Sequence, residues 1–118
     1  MAYALLRQGD ISKARDLFEL YTQRFHEVNS IDGLVYTFEG LASLHVNQGK
    51  VERAVRLFAW ATAMREKNGD PRPPVEQNSV ERDLAVIHSQ LDDEEFASLF
   101  TNGRTMTTEQ AIALALED

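Results

Sequence analysis

The chain contains no cysteine, three prolines, three histidines and one tryptophan in 118 residues. Without thiols there can be no disulfide framework, no cysteine-ligated zinc, no iron–sulfur cluster and no cysteine nucleophile. No apolar run approaches the roughly 18 residues of a membrane span. The opening residues MAYALLRQGD lack the layout of a secretory signal. These absences lead us to expect a cytoplasmic chain that does not meet a membrane. At this length, folding should hide roughly two-thirds of the unfolded chain's surface, so one core suffices and neither a disulfide nor a structural metal is required.

Positive charge is also scarce, and unevenly so. Residues 1–69 carry 9 basic and 8 acidic side chains, whereas residues 70–118 carry 3 and 11. A phosphate backbone would be repelled by the second half and only weakly held by the first, so no direct nucleic-acid contact is expected. The acidic half reads as a solvated face, with an acidic docking surface as the alternative.

Sites of chemistry are missing as well. The chain has no Gly-x-x-x-x-Gly-Lys-Ser/Thr loop for phosphates and no Gly-x-Ser-x-Gly elbow. His26, His45 and His88 are scattered without ligand spacing and read as core-edge or surface residues, not metal ligands. The carboxylates of Asp92-Asp93-Glu94-Glu95 stand at a helix start, where they satisfy free N–H groups and the positive end of the dipole. We therefore expect no enzyme activity, no metal and no cofactor.

What the sequence does contain is a repeat. Residues 8–18, Gln-Gly-Asp-Ile-Ser-Lys-Ala-Arg-Asp-Leu-Phe, align without gaps on residues 48–58, Gln-Gly-Lys-Val-Glu-Arg-Ala-Val-Arg-Leu-Phe, at an offset of 40. Gln8/Gln48, Gly9/Gly49, Ala14/Ala54, Leu17/Leu57 and Phe18/Phe58 are identical, and Ile11/Val51 and Lys13/Arg53 keep their character. A glycine that ends one helix, followed by a small Ala and then Leu-Phe at helical spacing, describes helical hairpins that bury their apolar faces by stacking. The Ala lets two helices approach, and the Phe four residues on fills the space between them.

The periodicity predicts helices over about 2–8, 11–28, 31–47, 51–68, 75–91, 93–102 and 108–117, and no strand pattern competes. Asn68-Gly69-Asp70-Pro71 should stop the fourth helix and Pro73-Pro74 open the next. Asp92 with Glu95, and Thr107 with Gln110, read as capping boxes. Asn102-Gly103 should close the penultimate helix. Trp60 reads as core packing, with a ligand or peptide anchor as the alternative. Gly33 and Gly40, seven apart on one helix, fit a tight helix crossing or a small-residue floor under a groove.

The repeat residues resemble the tetratricopeptide repeat, on whose frame the second unit supplies Phe38, Leu41, Ala42, Gly49, Ala54, Phe58 and Ala61. His45 stands where an aromatic or Leu is usual, no Pro closes the second helix, and the 40-residue period points to a long-helix subclass. The run from Arg56-Leu57-Phe58-Ala59-Trp60 through Gly69-Asp70-Pro71-Arg72-Pro73-Pro74 to Gln110-Ala111-Ile112-Ala113-Leu114 resembles the C-terminal end of large bacterial ATPase-type regulators, LuxR-type or cyclase-associated. That likeness implies an all-α superhelix of tetratricopeptide-like hairpins, two of them over residues 1–69 with the first truncated. Residues 70–118 would form a short helical cap within the same compact domain. The chain would then be the C-terminal segment of a signal-transducing or transcriptional regulator, acting as a protein-interaction or effector-sensing scaffold. The alternative is a small-molecule sensor with the inducer held between the hairpins and the cap.

The resemblance also places Tyr36, Glu39, Ser43, Val46 and Asn47 on a concave face, with Tyr3 and Arg7 continuing it. That mix suits a protein or peptide partner, or another domain of the parent regulator, better than a small charged metabolite. The lysine clamp that some such repeats use for carboxyl termini is absent from these positions. Tyr3, Leu5 and Leu6 would line an incomplete hairpin, expected to be an association edge for a homodimer.

Overall fold

The computed structural model describes residues 11–117. The expected helix over 2–8, with Tyr3, Leu5, Leu6 and Arg7, lies outside the described residues, as do Gln8 and Gly9. The rest is all-helical: α1 Ile11–Glu27, α2 Ile31–Asn47, α3 Val51–Asn68, α4 Pro74–His88, α5 Asp93–Arg104 and α6 Thr108–Leu116. Among these residues no helix is long and apolar enough to cross a membrane.

The first three helices end in the same way. Asn29, Gly49 and Gly69 adopt positive φ of 56°, 79° and 65°. In each case the next residue's N–H reaches back to a carbonyl of the last helical turn: Ser30 to Phe25 at 2.8 Å, Lys50 to His45 at 2.8 Å and Asp70 to Arg65 at 2.9 Å. This closure satisfies orphan carbonyls and reverses the chain. The three turns fall every twenty residues, so the 40-residue sequence repeat is two helix-and-turn units long. Glycine fills two of the turns and marks them in the sequence. Asn29 fills the third with a residue that tolerates the left-handed region.

After Gly69 the rhythm breaks. Pro73 and Pro74 provide the N-cap and first position of α4, with no amide to leave unsatisfied. Both expected capping boxes are formed: Asp92 accepts from Glu95 N at 2.8 Å and Thr107 from Gln110 N at 3.1 Å. α4 stops three residues earlier than expected, with Ser89 as its C-cap.

Gly103 does not close α5, which continues through Arg104 to a C-cap at Thr105. Its role is proximity. A Cβ at Gly103 would run into the Arg56 carbonyl oxygen and Ala59 Cβ, so its absence lets α5 lie directly on the α3 backbone. Gly33 does the same for α2 beneath the Phe25 ring of α1, as the tight-crossing reading expects.

α2 packs closely against both α1 and α3, and α5 lies along α3. α4 rests mainly on α2, and α6 touches α1 and α3. One core cluster runs through α1, α2, α3, α4 and α6, from Ala14 and Phe18 to Val80, Ile87 and Ala115, and Phe96, Leu99 and Phe100 of α5 pack against it. The repeat pairs Ala14/Ala54 and Phe18/Phe58 are buried in it. Trp60 is also wholly buried, with its ring centroid 5.2 Å from that of Phe38, so it packs the core. The end of α6 is tied back by two arginines: Arg15 Nη2 and Arg53 Nη1 donate to the Glu117 carbonyl at 2.9 and 2.8 Å. The opposite charge at a helix C-terminus is the arrangement that the backbone dipole favours.

Candidate functional site

Two helical stripes face each other across the α2–α4 contact. On α2, Tyr36, Glu39 and Ser43 follow at i, i+3 and i+7. On α4, Glu76, Ser79, Val80 and Asp83 follow at i, i+3, i+4 and i+7, which is one face of each helix. With Val75 they line a cavity of about 340 Å³.

The three α2 residues differ in what they can offer. Tyr36 is exposed. Glu39 is buried and already engaged. Arg65 grips it bidentately, Nε to Oε2 at 2.8 Å and Nη2 to Oε1 at 2.9 Å, and Arg72 Nε adds a bond of 2.6 Å to Oε2. Arg72 Nη2 donates to Thr62 Oγ1 at 2.9 Å, while Arg65 Nη1 donates to the Asp70 carbonyl at 3.2 Å. The hydrogen bond from Arg65 to Glu39 holds the guanidinium above its ordinary pKa. Glu39 therefore fastens α2 to α3 and to the loop that leads into α4. A buried carboxylate requires such partners, because an unpaired one would cost several kcal/mol.

Ser43 is buried and faces Asp83. Partial burial pushes the Asp83 carboxyl above its usual pKa, with the Ser43 hydroxyl and Arg82 opposing. Asp83 makes no ion pair among the described residues. The cavity thus has a hydroxyl-bearing aromatic and two valines, with two carboxylates, Glu76 and the partly buried Asp83, that make no ion pair among the described residues.

The structure brings Tyr36, Glu39 and Ser43 together but places Val46 and Asn47 elsewhere. Val46 belongs to the buried core. Asn47 is exposed at the end of α2, and its Nδ2 donates to the Ser43 carbonyl at 2.9 Å. The α4 half of the cavity was missed, because residues after 70 read as a cap. The 76/79/80/83 spacing was the available signal.

Of the three histidines, His26 and His88 are exposed, and His88 lies against Phe96 with ring centroids 4.2 Å apart. His45 departs from expectation: it is only 1% exposed, well inside the core. The reason is that α2 is surrounded, so position 45 stays interior whatever occupies it. Both ring nitrogens are buried without a hydrogen-bond partner among the described residues. Burial, then the charges of Arg53, Lys50 and Arg15, lower its pKa to about 4, against a smaller upward pull from Gln48. No group of three or more potential metal ligands is clustered among the described residues. Comparison with protein-family models, curated proteins and solved structures finds no match.

Proposed function

We propose that this chain is a non-catalytic scaffold that binds a protein or peptide partner in the α2–α4 groove, and that it forms the C-terminal segment of a larger bacterial regulator. The parent assignment rests on the likeness of the repeat and tail residues. The binding assignment rests on one observation: Asp83, partly buried and without an ion pair among the described residues, shares a cavity with exposed Tyr36 and with Val75 and Val80.

A carboxylate beside an aromatic face attracts a cation, and the two valines accept the aliphatic stem of a lysine or arginine. Glu39 supports this from beneath by fixing α2 against Arg72, the residue that introduces α4. The partner segment therefore carries a basic side chain next to an apolar one, in line with the acidic excess of residues 70–118.

Selection from a random peptide library tests the reading. Bound sequences should be enriched in Lys or Arg, and Tyr36→Ala and Asp83→Asn should each weaken them severalfold without unfolding the chain. Selected peptides that carry no positive charge and bind both variants as tightly as the parent would overturn it. A peptide at a hundred times its dissociation constant should also stabilise the fold by about 2.7 kcal/mol.

A further inference from the structure

A second cavity, of about 510 Å³, lies where α3, α5 and α6 meet, away from the α2–α4 groove. Arg56 of α3 is one of the residues that line it. Among the described residues its buried Nε has no hydrogen-bond partner and its guanidinium makes no ion pair. Arg53, Arg65 and Arg72, which line other cavities, are paired with carboxylates, and Arg82, which lines another, is exposed to solvent.

The remaining walls divide by chemistry. Asn102 and Gln110 bring side-chain amides. The Gln110 Oε1 accepts from Thr107 N at 2.9 Å, which leaves its NH₂ group to donate. Met106, Ala113 and Leu114 supply an apolar side. The Thr105 hydroxyl is turned back onto its own helix, 3.0 Å from the Asn102 carbonyl. Glu117 at the rim is held by Arg53 at 2.8 Å, so its negative charge is compensated.

We propose that this cavity binds a small organic carboxylate, with its carboxylate on the Arg56 guanidinium and the Asn102 and Gln110 amides, and its apolar body against Met106, Ala113 and Leu114. A planar guanidinium fork matches a carboxylate in two parallel hydrogen bonds. An unpaired buried donor is costly, and an anionic ligand removes that cost. The volume lies within the range of small-ligand sites. A spherical inorganic anion would leave the apolar wall unused. The same head group could belong to a free acid or to the C-terminus of a partner chain.

Nuclear magnetic resonance titration of the full chain tests this, with hexanoate, hexanamide, inorganic phosphate and a short peptide ending in leucine as probes. Hexanoate should saturably shift the Arg56 Nε–H and the Asn102 and Gln110 side-chain amides. Hexanamide and phosphate should bind about tenfold more weakly or worse, since each lacks one half of the match. Arg56→Gln should lower hexanoate affinity at least about tenfold and Arg56→Lys less, because lysine keeps the charge and loses the fork.

If Arg56→Gln fails to fold, Ala113→Phe, at an exposed position, fills the cavity without touching the arginine and should weaken binding in the same way. Equal affinity for hexanoate and hexanamide, full affinity in a folded Arg56→Gln or in Ala113→Phe, or shifts confined to Tyr36 and Val75 would each overturn the proposal. Tighter binding of the free-carboxyl peptide than of hexanoate would place the carboxylate on a partner chain's terminus; the reverse order would place it on a free metabolite.

Discussion

α2 and α4 have nearly the same length and lie against each other, yet solvent treats them very differently. α2 buries twelve of its 17 residues, whereas α4 buries Val80 and Ile87 out of 15. α2 has helices on three sides, α1, α3 and α4, so it has little free face and even His45 and Glu39 are interior. α4 is packed chiefly on one side, against α2, and leaves Val75 and Val86 exposed. On a surrounded helix a polar group finds its partners inside the protein, as Glu39 does, or is held neutral without them at a cost, as His45 is. A one-sided helix has a face to spare for a partner.

Removing a large side chain from the surrounded helix should produce the largest effect. Phe38 is fully buried against Trp60, so Phe38→Ala should lose about 4 kcal/mol of stability, from lost transfer energy plus the cavity left behind. Denaturant titration reads this as a shift in midpoint at unchanged slope. A loss below about 1 kcal/mol would mean that α2 is less enclosed than the structure shows.

Glu39 joins the two regions, and its substitution comes next. Glu39→Gln keeps the shape but leaves Arg72 buried without a countercharge and Arg65 with only its longer contact, 3.5 Å, to the exposed Asp70 carboxylate. A broken buried pair of this kind costs about 3 kcal/mol. Amide hydrogen exchange in Glu39→Gln should rise first in the 69–74 segment and the head of α4, because Arg72 is its link to α2. Uniform exchange changes throughout α2 and α4 would show that the clamp does not join them specifically.

His45 gives a pH test of the same enclosure. Well above pH 6.5, the unfolded value, the imidazole is neutral in both folded and unfolded chains and contributes no pH dependence. As pH falls towards 4, the unfolded chain takes up a proton that the folded chain refuses, so stability is lost across that window. The loss attributable to this residue approaches about 3 kcal/mol at its lower end. Asp83 shifts upward and works in the opposite sense, because the folded carboxyl gains its proton more readily than the unfolded one. The comparison therefore has to be made against His45→Leu, which should flatten the pH 4–6.5 profile and, with no unsatisfied ring nitrogens, be at least as stable at pH 7.

These contrasts explain which parts of the structure could be read beforehand. The helices were legible because glycine stops, prolines and capping boxes act locally, and the six described helices lie close to their expected spans. Gly103 misled because a glycine near a helix end looks like a stop. Its actual constraint is the Arg56 carbonyl, nearly fifty residues earlier in the chain, and only the folded state brings the two together. Glu39 lines the α2–α4 cavity, but its partners Arg65 and Arg72 come from other elements, so a carboxylate expected to meet a ligand is a fastening. The α4 half of the groove showed only as the 76/79/80/83 spacing and the Arg56 cavity not at all, because both depend on how residues after 70 dock onto α2 and α3.

The smallest stability effect should belong to Val75, which is 79% exposed at the head of α4 yet lines the groove. A surface substitution without a cap, cavity or buried partner changes stability by no more than about 0.5 kcal/mol. Val75→Ser should therefore leave the unfolding midpoint where it is, while weakening any peptide that lays an aliphatic stem across the groove. Val86→Ser is the matched control, because Val86 is also exposed on α4 but does not line the cavity. It should leave both stability and binding unchanged. Equal loss of binding in the two variants would indicate a contact made by the whole exposed face of α4, and equal retention would remove α4 from the binding surface. A loss confined to Val75→Ser would assign to the one-sided helix a partner-facing role that the enclosed α2 cannot take alone.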